Sequence, residues 1–353
     1  MRDMINRNKR TVPFLVSLGS VLTVLMLTAC TAEGDGTPGP SPDGLVPLRI
    51  TAATADVSMQ QTTRADNSAW DAADQIGVFC TNTATTTVYT NQAATPTPCT
   101  NLAYTFNDGT NYETSGSDYR AFTGPTVYLP ANGAGIDVYA YYPYRSGATD
   151  LTAIPVNVST QFEGSLSDPT NLEPKLKEID FMGAKVENRK FNASEAQLLF
   201  SHKLVKLVFN LTAEGTLTAN DIGKNPKLGV FINDYTTGTY NLNTSAFTST
   251  GSKANIYACP IVTTVGPVST WSRFEAIVLP TPGSHTVNIK VSDDNDTGTF
   301  SFTTDVDFDA GQAYEFNVMV DGREVKLYSV TIKDWLVAPD VKTGDKGIEF
   351  RPS

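Results

Sequence analysis

The chain of 353 residues predicts an all-β fold built of antiparallel sandwiches. Three observations carry that reading. Apolar residues recur with period two in several separate segments, Thr, Val, Tyr and Phe are abundant, and Gly or Pro interrupts the sequence about every ten residues. Helical periodicity is weak, with Leu172 to Ile179 the best short stretch.

The first element is a leader. Arg2, Arg7, Lys9 and Arg10 form a cationic head, Val12 to Leu27 an apolar run, and the segment stops at Leu27-Thr28-Ala29-Cys30. A run of about 16 residues is short of the ~20 that span hydrocarbon. The junction resembles the bacterial lipobox. That resemblance implies that residues 1–29 are a lipoprotein signal peptide and that Cys30, diacylated, becomes the N-terminus and anchors the chain in membrane lipid. Residues 30–44, rich in Gly, Pro, Ser, Thr and Asp, read as a flexible linker. Glu33 and Asp35 within it resemble the acidic signal that sends lipoproteins of some Gram-negative anaerobes to the cell surface.

Past the linker, Leu45 to Val57 is the first strand-like segment, and Ile76 to Phe79 the next, entered by a turn at Asp74 with Trp70 folding back over it. Cys80 and Cys99 flank a Thr/Asn/Pro-rich stretch that reads as a long loop; a disulfide there would close a ring of 20 residues and contribute about 3 kcal/mol in the chain-entropy account. Cys259 reads as a small buried core residue. Tyr139, Tyr141, Tyr142 and Tyr144 around Pro143 read as core and cross-strand pairs rather than a sugar-stacking platform. Polar, poorly periodic sequence precedes a strongly alternating strand at Gln197, which puts a junction near residue 195 and gives two domains, 45–195 and 196–353. In the second, Val205, Leu207, Phe209 and Leu211 line one face of a strand whose other face also carries Val208. Val287, Ile289 and Val291 alternate with polar residues. Tyr314, Phe316, Val318 and Val320 run into a hairpin turn at Asp321-Gly322 and a partner strand from Val325 to Ile332.

Removing the leader takes four of the 26 basic and one of the 37 acidic residues, leaving 22 against 36, a net charge of −14. Such a chain is a poor partner for nucleic acid. The two histidines, His202 and His285, are far apart and near no recognisable nucleophile motif. Asp293, Asp294 and Asp296 lack the spacing of a calcium loop, and no Cys/His cluster has metal-ligand spacing. No catalytic residue, metal or cofactor is expected.

Several segments, taken in order, resemble the fimbrillin family of type V pilins and related fimbrial tip and adhesin lipoproteins. They are Thr63-Arg64, Trp70 to Phe79 (WDAADQIGVF), Val138 to Tyr144 (VYAYYPY), Asp180 to Ala184 (DFMGA), Phe200 to Leu207 (FSHKLVKL) and Val330 to Trp335 (VTIKDW). The resemblance implies two transthyretin-like β-sandwich domains and a structural role in a surface fibre. It implies a lipid-anchored precursor on the outer membrane, cut by an arginine-specific protease and joined to other fimbrial subunits by exchange of a strand, with a host or bacterial surface ligand as a further partner for an adhesin.

Arg49 and Arg64 are the candidate cleavage sites, Arg64 the more accessible because it lies between two polar stretches. Val325 to Val337 and Gly347 to Phe350 are the candidate donor segments. The other reading compatible with the leader and the strands is a surface glycan-binding lipoprotein of a nutrient-uptake system.

Overall fold

A computed structural model of the chain describes residues 44–54, 70–106, 119–165, 168–213, 229–265, 268–292, 297–320, 325–335 and 346–349. The signal peptide, Cys30, the linker up to residue 43, Arg64, the acidic run Asp293 to Asp296, the Asp321-Gly322 turn and Phe350 lie outside these residues. Pro38–Ser353 forms one compact unit.

Its first half contains β1 (Arg49–Thr54), β2 (Gln75–Asn82), β3 (Leu102–Phe106), β4 (Arg120–Thr123), β5 (Ile136–Tyr142), β6 (Ile154–Asn157), β7 (Phe162–Ser165), β8 (Asp168–Pro174), the single turn α1 (Leu176–Ile179), β9 (Met182–Arg189) and β10 (Glu195–His202). The second half runs β11 (Val205–Ala213), β12 (Gly229–Asn241), β13 (Ala246–Tyr257), β14 (Cys259–Val265), β15 (Val268–Val278), β16 (His285–Ser292), β17 (Thr297–Thr304), β18 (Gln312–Val320), β19 (Val325–Asp334) and β20 (Lys346–Glu349). The predicted all-β class is what the molecule adopts.

Seven strands of the first half close into a barrel in the order β1-β10-β9-β5-β2-β3-β4. Period-two alternation divides their side chains between two cores. From β2 and β5, Ile76, Val78, Cys80, Val138, Ala140 and Tyr142 fill the barrel. Phe79, Tyr139 and Tyr141, the alternate residues, belong instead to the core of the second half. Tyr141 stacks on Phe181 at 5.8 Å, and Phe181 meets Tyr240 edge-on at 5.1 Å. The run VYAYY is therefore buried from both sides, as core tyrosines should be.

The second half is a sandwich of a six-stranded sheet, β14-β15-β11-β18-β19-β20, and a sheet in the order β13-β12-β16-β17 to which β6 is added through β12. Leu207, Phe209, Phe274 and Phe316 from the first meet Val230, Ile232, Val287 and Ile289 from the second in one core. The β11 strand lies between β15 and β18, with Lys206 and Val208 also buried, so its apolar sequence is matched by cover on both faces.

Five details differ from what the sequence suggests. Two of the pairings run parallel, β1 with β10 and β11 with β18, because the strands that join them lie far apart in sequence and no hairpin dictates their direction. The strand at the expected junction, β10, belongs to the barrel, and the change of sheet falls between His202 and Val205. β6, from the first half, pairs with Thr237–Tyr240 of β12. Only Leu176–Ile179 of the expected helical stretch is helical, since Pro174 ends the preceding strand. Lastly, the stretch between Cys80 and Cys99 folds back on the barrel through bridges Thr81 to Val88 and Thr90 to Pro98 and buries Tyr89 and Asn91.

Candidate functional site

The barrel closes only because β1 occupies the gap between β10 and β4. Every residue of β1 has a parallel partner, from Arg49 opposite Glu195 to Thr54 opposite Phe200, and Ile50 to Ala52 pair on the other side with Phe122 to Arg120. The residues ahead of β1 extend the seam. Leu48 N–H donates to the Val127 carbonyl at 2.7 Å, and Leu129 N–H to the Val46 carbonyl at 2.8 Å.

What holds this strand is mostly backbone. Ile50 of β1 and Leu48 just ahead of it are large apolar side chains buried in the barrel core, worth about 1.5–3 kcal/mol each. Ala52 and Ala53 are buried but small. Over Ala52 lies Trp70, whose indole N–H donates to the Ala52 carbonyl at 3.2 Å. Phe122, Tyr142 and Phe200 surround the indole in edge-on contacts at 5.0, 5.5 and 5.3 Å. The turn that sets Trp70 is fixed by Asp71 N–H donating to Asp74 Oδ2 at 2.8 Å, with Lys177 bridging Asp71 and Asp74. Taking β1 out would expose the row of N–H and C=O groups on β10 and a slot lined by Trp70, Phe122 and Phe200. Such an edge pairs with any extended segment of matching side chains.

The other residues singled out from the sequence fall as follows. Arg49 is the first residue of β1, its N–H bonded to the Ser194 carbonyl at 2.8 Å. Cys80 and Cys99 are buried free thiols in the barrel core, with Cys80 N–H donating to the Cys99 carbonyl at 3.0 Å. The hydrogen bond to Cys99, together with burial, raises the Cys80 thiol well above its usual range, while the same bond lowers Cys99. Cys259 is buried in the sandwich core, and burial with the nearby Glu275 pushes its thiol up to about 12. His202 lies 2.9 Å from Asp180 and stacks on Trp335 at 4.2 Å, a structural role. Candidate donor segment β19 is paired on both sides, by β18 and β20, and β20 pairs with β19 alone among the described residues.

Sequence reasoning misses the residues that back the seam. Tyr89 OH donates to the Tyr128 carbonyl at 2.7 Å, and Asn91 both donates to the Thr126 carbonyl and accepts Tyr128 N–H, each at 2.8 Å. A buried Tyr and Asn in a Thr-rich stretch carry no periodic signal; their partners lie more than 30 positions away.

The profile of the fimbrillin-like family matches residues 63–335. A Bacteroides uniformis protein ascribed to fimbriae as subunit Fim1C is 30% identical over 328 residues, covering 90% of this chain and 93% of that protein. A crystal structure of a Bacteroides uniformis protein ascribed to cell adhesion superposes with a TM-score of 0.56 at 26% identity, over 84% of this chain and 99% of that one. A second, from Bacteroides ovatus, superposes with a TM-score of 0.53 at 19% identity over 83% and 99%, and shows the shared fold.

Proposed function

The chain belongs to the fimbrillin-like family, and on that premise we propose that it is a structural subunit or tip adhesin of a surface fimbria, assembled by proteolytic trimming and strand exchange. Its family makes it a protein of cell-surface fimbriae. In the proposed sequence of events, Cys30 anchors the precursor in the outer membrane, a protease cuts at Arg64, and the segment carrying β1 leaves. A subunit's extended segment then fills the slot between β10 and β4.

One observation carries this reading: β1 completes a closed barrel, yet its only chain connection to the rest of the barrel is the stretch between Thr54 and Trp70 that contains Arg64. A cut there severs the strand whole. Arg49 is the weaker site, because a protease needs an unpaired backbone and that of Arg49 is bonded into the seam. The hold on β1 is modest enough to exchange, since two large side chains are offset by a donor that brings as many or more. For the donor, the C-terminal segment that includes β20 fits best, being paired on one side among the described residues, whereas β19 would have to leave two neighbours.

The test is treatment of the purified precursor with an arginine-specific protease. The expected product begins at Ala65, lacks β1 and forms SDS-resistant ladders; Arg64→Gln blocks both. A product that loses β1 and stays monomeric assigns the chain to a tip position, and a precursor whose β1 survives the protease refutes the trimming step.

A further inference from the structure

We infer that Cys80 and Cys99 become a disulfide in the exported protein, and that this bond fastens the wall along which strand β1 leaves and its replacement enters. The second half rests on the strand-exchange reading above; the first does not.

The pairing follows from the backbone. A main-chain hydrogen bond between two residues on adjacent strands sets their Cα atoms about 5–6 Å apart, inside the roughly 4.4–6.8 Å that a disulfide spans. Cys80 N–H makes that bond to the Cys99 carbonyl, and both thiols are buried in the same barrel core. Tyr89 is held between them, its N–H donating to the Cys80 carbonyl and its carbonyl accepting Cys99 N–H, both at 2.8 Å. The folded loop keeps both cysteines together in one apolar core.

The oxidation is two successive thiol–disulfide exchanges. The thiolate of one cysteine attacks a disulfide of an envelope thiol oxidase and expels one thiolate. The other cysteine then loses its proton, attacks the first cysteine's sulfur in the mixed disulfide and expels the second. Two S–H bonds are lost and one S–S bond forms, and the two electrons and two protons leave with the oxidase as its dithiol. Because both sulfurs are buried in the folded barrel, the exchange takes place before the loop settles.

The bond matters for the seam because of what the loop carries. Residues 126–129 are gripped from two sides, by Val46 to Leu48 ahead of β1 and by Tyr89 and Asn91 from the loop. Once β1 and the residues before it are gone, Tyr89 and Asn91 supply the side-chain hydrogen bonds to this wall among the described residues. Closing the loop at its base with a covalent bond keeps those two side chains, and so the Val127 and Leu129 backbone, set for an incoming strand.

Alkylation and mass spectrometry of the full chain, purified from the envelope of the secreting cell, test the bond. Denatured without reductant, the protein should take up label at Cys259 only and yield joined Cys80 and Cys99 peptides, two hydrogens lighter than the separate ones; label on Cys80 and Cys99 without reduction overturns the pairing. Hydrogen exchange on protein trimmed at Arg64 tests the wall. The Tyr128 amide, bonded to Asn91, should exchange on the order of tenfold faster after reduction of the trimmed protein, and equal rates overturn the bracing role. A precursor that the protease leaves whole counts against strand exchange and against the bracing role, while the joined peptides would still establish the bond.

Discussion

His285 Nδ1 lies 3.1 Å from Asp234 Oδ2, and the ring's other nitrogen faces the Thr281 carbonyl at 3.2 Å. Each ring nitrogen thus faces an oxygen acceptor. The ring stacks on Phe308 at 3.8 Å, almost parallel. Asp234 is equally enclosed, taking the Thr281 hydroxyl at 3.0 Å, the Tyr235 N–H at 2.8 Å and Lys253 at 3.1 Å. Burial by itself would push this carboxyl up, but the bonds from His285, Tyr235 and Lys253 outweigh it and hold it at about 2.

That cluster sets an acid limit. A carboxyl held below its unfolded value stabilises the fold above the unfolded value and loses that contribution as pH falls through the folded one. The window here runs from about 4 down to about 2. Its size is about 1 kcal/mol after allowing for the water that reaches the site past the half-exposed Lys253. Asp234→Asn should flatten the decline in denaturant midpoint across that window, and an unchanged slope would contradict the assignment.

Gly77, inside β2, is a barrel position where a methyl group has no room. A Cβ there would sit 2.2 Å from Tyr141 Cε1 and 2.7 Å from Asn101 Oδ1. The tyrosine cannot swing aside, because its hydroxyl bonds Asn101 at 2.7 Å and the Arg145 carbonyl at 3.0 Å. Gly77→Ala should therefore lower unfolding free energy by about 1–3 kcal/mol, read from urea titration, even though alanine is unexceptional in a strand.

Phe181 joins the barrel to the sandwich. It stacks on Tyr141 of β5 and meets Tyr240 of β12 and Phe247 of β13 edge-on. Gln161 adds a polar link, its side-chain amide donating to the Ile277 carbonyl at 2.9 Å and accepting Ile277 N–H at 2.8 Å, as a neighbouring strand would. Calorimetry should show one transition for the whole folded unit, and Phe181→Ala should lower stability by about 3–5 kcal/mol without splitting it. Two resolved transitions in the parent protein would show that the halves unfold independently.

The strands legible in the sequence are those with one wet face or a hairpin partner close by. Val287 and Ile289 alternate with polar residues because β16 has a solvated side, and β18 and β19 lie close in sequence and pair as neighbours. β1 is hard to read for the opposite reasons. Its partner Glu195 is far along the chain, the pairing is parallel, and Ala52 and Ala53 are buried on successive positions, which removes the alternation. The loop from Thr81 to Pro98 looks unstructured because Thr and Pro dominate it, whereas its order comes from Tyr89 and Asn91 reaching residues 126–128. The cysteines at its two ends stand out in the sequence; the place of Tyr89 between them does not, because it rests on backbone hydrogen bonds that no side-chain pattern records.

Trp70 separates the stability of the barrel from its hold on β1. Trp70→Phe keeps an aromatic ring among Phe122, Tyr142 and Phe200 but deletes the hydrogen bond to the Ala52 carbonyl inside the core. The cost should be about 1–2 kcal/mol in unfolding free energy, and it falls on the strand rather than on the remaining six. After a cut at Arg64 the variant should shed the β1 peptide faster than the parent, followed by chromatography of the released fragment, while the midpoint of the trimmed barrel stays the same for both. Equal release rates would mean that the grip on β1 lies in the paired backbone of β10 alone, and the indole would then be a core residue with no part in exchange.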